Sequence, residues 1–294
     1  MFCLLVLWEK LLTGCLSGET LKVYLVFADR LWKRFFLSSF FYSSTLKNSI
    51  PVFPFLSQRW DDLLFLHWPI SESALRLTLP NDLKVDLFDD RAWISVVAFK
   101  LTNLKIFPFR QLAWNDFLEV NLRTYVIGPD GQRGVWFYSL DSSDLLATWG
   151  ARLLFGLPYH KSNISMYRET TGYVWESRRK SSEGFTSASI SASTTFSNIS
   201  DCKNSLSDFL LERYCFWSKR KSSYFSFPSF VEHRPYDPVG LEDARYSGDL
   251  FRAQGLEEPE CHPVLSHYCR GFDVVASPPP WFGRIVGQTN HSNV

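Results

Sequence analysis

Between Phe117 and Tyr159 the chain reads FLEVNLRTYV, then GPDG, then GVWFYSL, then DSSDLLATWGARLLFGLPY. This is the pattern of a strand, a turn, a returning strand and a helix, and it constrains the rest of the chain more than any other stretch. Over 116–127, Leu118, Val120, Leu122 and Val126 fall on one face of the strand, and Glu119, Asn121, Arg123 and Tyr125 on the other. An acid, an amide and a guanidinium on one strand face are costly unless that face meets water or a ligand. Gly128-Pro129-Asp130-Gly131 has turn chemistry, and Val135–Leu140 returns antiparallel. Asp141 or Ser142 is expected to cap a helix through Phe155, with Leu145, Trp149 and Leu153 as its apolar stripe. Gly156 suits the position after the helix, and Pro158 stops continuation.

The remaining pieces are mostly short strands. Phe65–Trp68 ends at Pro69, and Ser71 is placed to cap a helix over Glu72–Leu79. Lys84–Phe88 and Ala92–Lys100 flank Asp89-Asp90-Arg91 as a hairpin. Strands are expected at Ile164–Glu169, Tyr173–Arg178, Phe185–Ser191, Phe227–His233, Pro263–Tyr268 and Phe272–Val275, and helices at Leu206–Tyr214 and Leu241–Ala253. The serine-rich run over 187–200 carries Ile190, Phe196 and Ile199, which favours an exposed strand over a linker. Such an order of elements predicts an α+β fold: a curled antiparallel β-sheet, barrel-like, with a few helices packed outside. No Pro/Gly linker divides the middle of the chain, so the expected organisation is an N-terminal extension over 1–50, one domain over 51–277 and a tail over 278–294.

Bulk composition excludes several classes. An aromatic content of 17% suits sheet cores and apolar pockets. A net charge of +1 leaves no single-sign field to steer nucleic acid. Arg178-Arg179-Lys180 reads as a solvated turn between apolar segments. The apolar runs near the N-terminus are too short and too interrupted to span a bilayer. The six cysteines form no CxxC pair, and Cys261-His262 with His267-x-Cys269 lacks the second pair of a zinc site, so no metal is expected. Scattered thiols fit a reducing, cytoplasmic compartment. P-loop, GxGxxG, GxSxG and HExxH motifs are absent, and no cofactor is implied.

The polar face of the first strand therefore carries the functional signal. Glu119 and Arg123 lie about 13 Å apart along a strand and cannot pair directly. In a curled sheet this face lines a cavity; on a half-buried strand it is the solvated face. Histidine is the common proton carrier near neutral pH, which draws attention to His67, His160 and His233.

Over Arg59 to Val275 the chain resembles the YqjF-like family, uncharacterised and mostly bacterial. The resemblance is carried by LHWPI (Leu66–Ile70), LTLPNDLKVDLFDDRAWISVVAF (Leu77–Phe99), FLEVNLRTYV, GVWFYSLD, ARLLFGLPYH (Ala151–His160), FLLERYCFW (Phe209–Trp217) and VEHRP (Val231–Pro235). It implies the fold of acetoacetate decarboxylase, whose reactive lysine follows a GRExxGxPKK-like segment and forms a Schiff base. Here that segment reads GARLLFGLPYH, and the two lysine positions fall on Tyr159 and His160, which cannot form an imine. Lys161 is the nearby amine, and it would need desolvation to react.

These readings lead to one expectation and two alternatives. The expectation is a pocket for a small organic acid, with Arg123 pairing its carboxylate, Glu119 and Asn121 orienting it, and Tyr159, His160 and His67 at the mouth. The first alternative is a lyase or dehydratase with Glu119 or His160 as proton carrier, which requires both at one point. The second is a structural or partner-binding protein whose own aromatics fill the interior, favoured by a cavity well under about 300 Å³.

Overall fold

Leu63–Trp68 and Ala92–Phe99 are buried at every position, not at every second one. Strands of that kind need cover on both faces, and the computed structural model supplies it with two cores. The structure describes residues 55–107, 114–169, 172–182, 184–193, 196–197, 205–220 and 223–278. The expected extension over 1–50 lies outside the described residues, as does nearly all of the expected tail over 278–294.

The first half of the chain forms β1 (Leu56–Ile70), α1 (Glu72–Thr78), β2 (Lys84–Val85), β3 (Ala92–Ile106), β4 (Phe117–Ile127), β5 (Arg133–Ser142) and α2 (Leu145–Phe155). Then come β6 (Tyr159–Lys161), β7 (Asn163–Glu169), β8 (Gly172–Ser181), β9 (Gly184–Ser193), β10 (Phe196–Ser197) and α3 (Ser205–Leu211). The last are β11 (Cys215–Ser218), β12 (Phe227–His233), β13 (Val239–Leu241), β14 (Arg245–Gly248) and β15 (Leu265–Ala276).

The main sheet has eleven strands and runs β1-β3-β4-β5-β11-β12-β15-β13-β10, with β2 beside β4 and β6 beside β5. β15 also pairs with β1, from Leu56↔Ala276 to His67↔Leu265, so the sheet curls strongly about an interior. The curled α+β architecture is the expected one. The sheet is mixed, however, because β6 and β11 both lie parallel to β5. Between β5 and β6, α2 brings the chain back so that Tyr159–Lys161 runs beside Leu140–Ser142, the last three residues of β5, in the same direction. Leu63, Phe65, Val97, Phe99, Cys269 and Phe272 belong to the interior core. Their neighbours Leu64, Leu66, Val96 and Ala98 belong to the outer core, where they join Val120 and Leu122 of β4.

The outer core is completed by a four-stranded sheet ordered β14-β9-β8-β7. Trp175 and Ile190 of this sheet are wholly buried in that core. The serine-rich run is a strand over its described part, with Ala188, Ile190 and Ala192 buried and the serines between them partly exposed. Arg178-Arg179-Lys180 lies inside β8 and not in a turn, and Arg179 is buried in an ion pair with Asp141.

Local departures from the sequence reading have physical causes. β5 continues through Ser142 because Ser142 pairs with Glu119, so the cap of α2 moves to Asp144, whose side chain accepts from the Ala147 amide at 2.6 Å. The turn at Asp89-Asp90 forms with both residues at positive φ, but β2 pairs with β4 and not with β3. No helix forms over Leu241–Ala253; Asp243 at φ 54 interrupts it, and β14 and a 3-10 turn at Arg252–Gln254 follow. The two closing strands are one, since Gly271 at φ 134 lets β15 pass the bulge in β1; a Cβ there would lie 2.4 Å from the Trp60 carbonyl oxygen. Finally, Leu145, Trp149 and Leu153 are exposed at 50%, 52% and 59%, while Thr148 and Phe155 of α2 are buried. Among the described residues no helix is long and apolar enough to cross a membrane.

Candidate functional site

The polar face of β4 points into the interior of the curled sheet, where Glu119, Asn121 and Arg123 are 2%, 3% and 7% exposed. Their outward neighbours Val120 and Leu122 are held by the outer core, and strand alternation then forces the polar set inward. These three line a cavity of about 130 Å³ together with Tyr159, Arg213 and Tyr236 and a larger number of apolar side chains. Ala151 and Phe155 of α2 and Leu157 also border it. The face of α2 that turns inward is thus the one closing the cavity, and the Leu145–Trp149–Leu153 stripe is left outside.

Glu119 is the best-connected group. The Tyr159 hydroxyl donates to its Oε2 at 2.7 Å, and Asn121 Nδ2 donates to its Oε1 at 3.1 Å. Burial pushes the carboxyl up to about 7, against the pull of those two hydrogen bonds and with a smaller push from Asp141. Burial, and then the Glu119 charge, raise the Tyr159 phenol well above its usual range. Asn121 Oδ1 is buried and has no partner among the described residues.

Arg123 is held differently. Its Nη2 donates to the Leu210 carbonyl at 3.3 Å, and its guanidinium carbon sits 5.4 Å from the Phe65 ring centroid. Among the described residues its Nε has no partner and no carboxylate pairs with it. Arg213, across the cavity wall, has a counter-ion: its Nη1 donates to Asp86 Oδ2 at 2.7 Å, and its Nε donates to the Phe209 carbonyl at 2.6 Å. Arg133 grips the same Asp86 through two further bonds of 2.8 and 2.9 Å. Arg213 Nη2 is left without a partner.

Three expected residues lie elsewhere. His160 follows Tyr159 on β6 and so faces the opposite side of the strand. Burial, and then Arg179 and Arg152, lower it to about 4. Glu119 and His160 therefore do not converge, and the proton-carrier pairing of the two is not formed. Lys161 is exposed, with its Nζ donating to the carbonyls of Ser143 and Ser162 at 2.8 and 3.1 Å. It does not border the cavity, and no lysine is among the described residues that do. Asp141 does not cap α2: it binds Arg179 and accepts from Ser177 at 3.0 Å on the outer side of the sheet.

His67 is wholly buried and sits in a hydrogen-bonded chain, not at a mouth. Its Nδ1 contacts Ser95 Oγ at 2.7 Å, and Ser95 contacts the Tyr125 hydroxyl at 2.7 Å. Its Nε2 meets His267 Nδ1 at 3.2 Å, and His267 Nε2 meets Ser207 Oγ at 3.0 Å. Burial, then His267 and Arg123, lower His67 well below the usual imidazole range; burial alone brings His267 to about 4. Arg213 was not singled out by sequence. Its signal was the arginine inside FLLERYCFW, and its role depends on Asp86, 127 residues away.

Residues 57–273 match the model of the family described as "Uncharacterized conserved protein (COG2071)". The chain belongs to this family, DUF2071. A curated relative, "Uncharacterized protein YqjF" of Bacillus subtilis (strain 168), is 33% identical over 230 residues, covering 76% of this chain and 90% of that protein. Among solved structures, acetoacetate decarboxylase from Legionella pneumophila superposes with a TM-score of 0.50 at 10% identity, covering 82% of this chain and 92% of the other. The enduracididine biosynthesis enzyme MppR complexed with pyruvate gives a TM-score of 0.50 at 11% identity, covering 80% and 92%. At such identities the likeness is one of fold, and it places the family on an acetoacetate decarboxylase-like scaffold.

Proposed function

We propose that the cavity binds a small organic acid and that Arg123 takes its carboxylate. The observation that supports this is Arg123 itself, a nearly buried guanidinium that no carboxylate among the described residues neutralises. An uncompensated buried charge is costly. A ligand carboxylate would satisfy the free Nε with a charge-assisted hydrogen bond. The volume sets the size. At about 130 Å³ the cavity falls well under the roughly 300 Å³ floor of drug-sized sites, which for such ligands favours a self-filled interior. It is close to the roughly 150 Å³ cavity that accepts benzene, so an acid of about six heavy atoms fits. MppR, on the same fold, was solved with pyruvate, an acid of that size. The reading includes no Schiff base, since Tyr159 and His160 stand at the lysine positions and Lys161 is outside the cavity. A cytoplasmic location belongs to the same proposal, with Cys215, Cys261 and Cys269 as free thiols. Thermal shift with propionate, pyruvate and lactate tests it on wild type and Arg123→Ala. Stabilisation of wild type alone supports the proposal, and equal responses sink it.

A second reading is favoured by Glu119. A carboxyl near 7 in contact with a phenol is poised to accept or give a proton, as a lyase or dehydratase requires. It rests on Glu119 with Tyr159, not on Glu119 with His160. Turnover of a bound acid that disappears in Glu119→Gln while binding persists would favour it.

A further inference from the structure

The unsatisfied polar atoms of the cavity sort by chemistry. Among the described residues Arg123 Nε, Arg213 Nη2 and Trp60 Nε1 are donors without acceptors. Asn121 Oδ1 is an acceptor without a donor. The orientation of that amide follows from its neighbour when Glu119 is ionised: a carboxylate only accepts, and Asn121 then turns Nδ2 toward Glu119 Oε1. The Tyr159 hydroxyl proton is already engaged on Glu119 Oε2. The cavity thus has a donor end at the two arginines and an acceptor end at Asn121 and Glu119. Asn121 and Arg123 stand two apart on the same face of β4, about 6.6 Å along the strand, a span that a three- or four-carbon acid and its hydrogen bonds can cover.

A simple carboxylic acid fills only the donor end. An oxo acid is worse, because it brings a second acceptor toward Asn121 Oδ1. We infer that the ligand is a small hydroxy acid, with its carboxylate on Arg123 and its hydroxyl donating to Asn121 Oδ1. The inference rests on the acid-binding reading and adds the functional group beside the carboxylate. Buried acceptors are seldom left unpaired, and the hydroxyl proton supplies the missing donor. An amino acid would also bring donors, but its ammonium carries a full charge that is far costlier to desolvate than a hydroxyl in a largely apolar cavity.

Isothermal titration calorimetry at pH 8, above the value of about 7 for Glu119, tests the inference. The probes are both enantiomers of lactate and of 3-hydroxybutyrate, with pyruvate, acetoacetate, propionate and alanine for comparison. One hydroxy acid is expected to bind at least about tenfold more tightly than its oxo and unsubstituted counterparts. Asn121→Leu, which keeps the size and removes the acceptor, is expected to abolish that preference. Equal binding of hydroxy, oxo and plain acids overturns the inference and leaves the acid reading standing. Tighter binding of pyruvate, acetoacetate or alanine, or a preference that survives Asn121→Leu, also overturns it. Binding of none of the probes overturns both. Should Asn121→Leu fail to fold, the wild-type ranking alone decides.

Discussion

The interior of the curled sheet holds two polar clusters that share β4, and they differ in how completely they are satisfied. In one, Tyr125, Ser95, His67, His267 and Ser207 form a continuous chain, and each imidazole nitrogen has a partner. In the other, Glu119 and Tyr159 are paired, but Asn121 Oδ1, Arg123 Nε and Arg213 Nη2 are not, and those residues border open space. Polar burial alone therefore does not mark a site. A closed network holds the strands in register, whereas the unpaired atoms beside the cavity are where the proposed acid would bind. The first cluster should matter to stability and the second to binding.

The largest expected effect breaks the closed chain. His67→Ala leaves Ser95 and His267 without a partner and opens a void, and it should cost about 3 kcal/mol or more in urea unfolding. A loss under about 1 kcal/mol would show that the chain is not structural.

The second prediction separates the clusters by pH. The folded-state value of Glu119 is raised from 4.5 to about 7, so the unfolded state loses its proton first as pH rises. Stability is lost as pH climbs from about 4.5 to 7, by up to about 3 kcal/mol. Glu119 is faced by Asn121 on its own strand and Tyr159 on β6, and Asp141, on the outer side of β5, adds a smaller push; Arg123 of β4 and Arg213 border the same cavity. The histidine pair has the opposite sign. Its lowered values mean that stability is lost as pH falls below 6.5 toward 4. Glu119→Gln should flatten the first slope and leave the second. Parallel pH profiles for wild type and variant would remove Glu119 as its source.

How much of this was legible beforehand depended on the range of the interactions. The alternation of β4 displays its polar face in eleven residues, but a solvated face and a cavity wall give the same alternation. Only the pairing of β1 with β15, about 200 residues apart in the chain, turned that face inward. His67 drew attention as a candidate proton carrier, while its partner His267 lies 200 positions away and stood out only beside Cys269 as part of a zinc-like cluster. Arg179 sat in a run of three basic residues, which composition reads as solvent-facing, and its burial follows from Asp141 beneath it. The stripe on α2 was visible but turned out exposed, because periodicity identifies an apolar face without naming what it meets.

A smaller effect reverses the usual sign of a core substitution. Arg123→Met removes an uncompensated buried charge, so without ligand it should leave stability unchanged or raise it by about 1–2 kcal/mol. Destabilisation by more than about 2 kcal/mol would mean that Arg123 belongs with the structural cluster. The smallest effect is at Lys161. Because its ammonium is exposed, Lys161→Met should change stability by no more than about 0.5 kcal/mol. Borohydride treatment of the wild type with pyruvate should leave Lys161 unlabelled, and a covalent adduct on it would restore imine chemistry to this fold.

The central claim is that the unpaired guanidinium on β4 awaits a carboxylate. Calorimetric titration of wild type and Arg123→Met with lactate, pyruvate and propionate tests it directly. The expected result is saturable binding of at least one acid to wild type, weakened by about thirtyfold or more in the variant. Equal affinities in the two proteins, or no binding of any of the three to wild type, would contradict it.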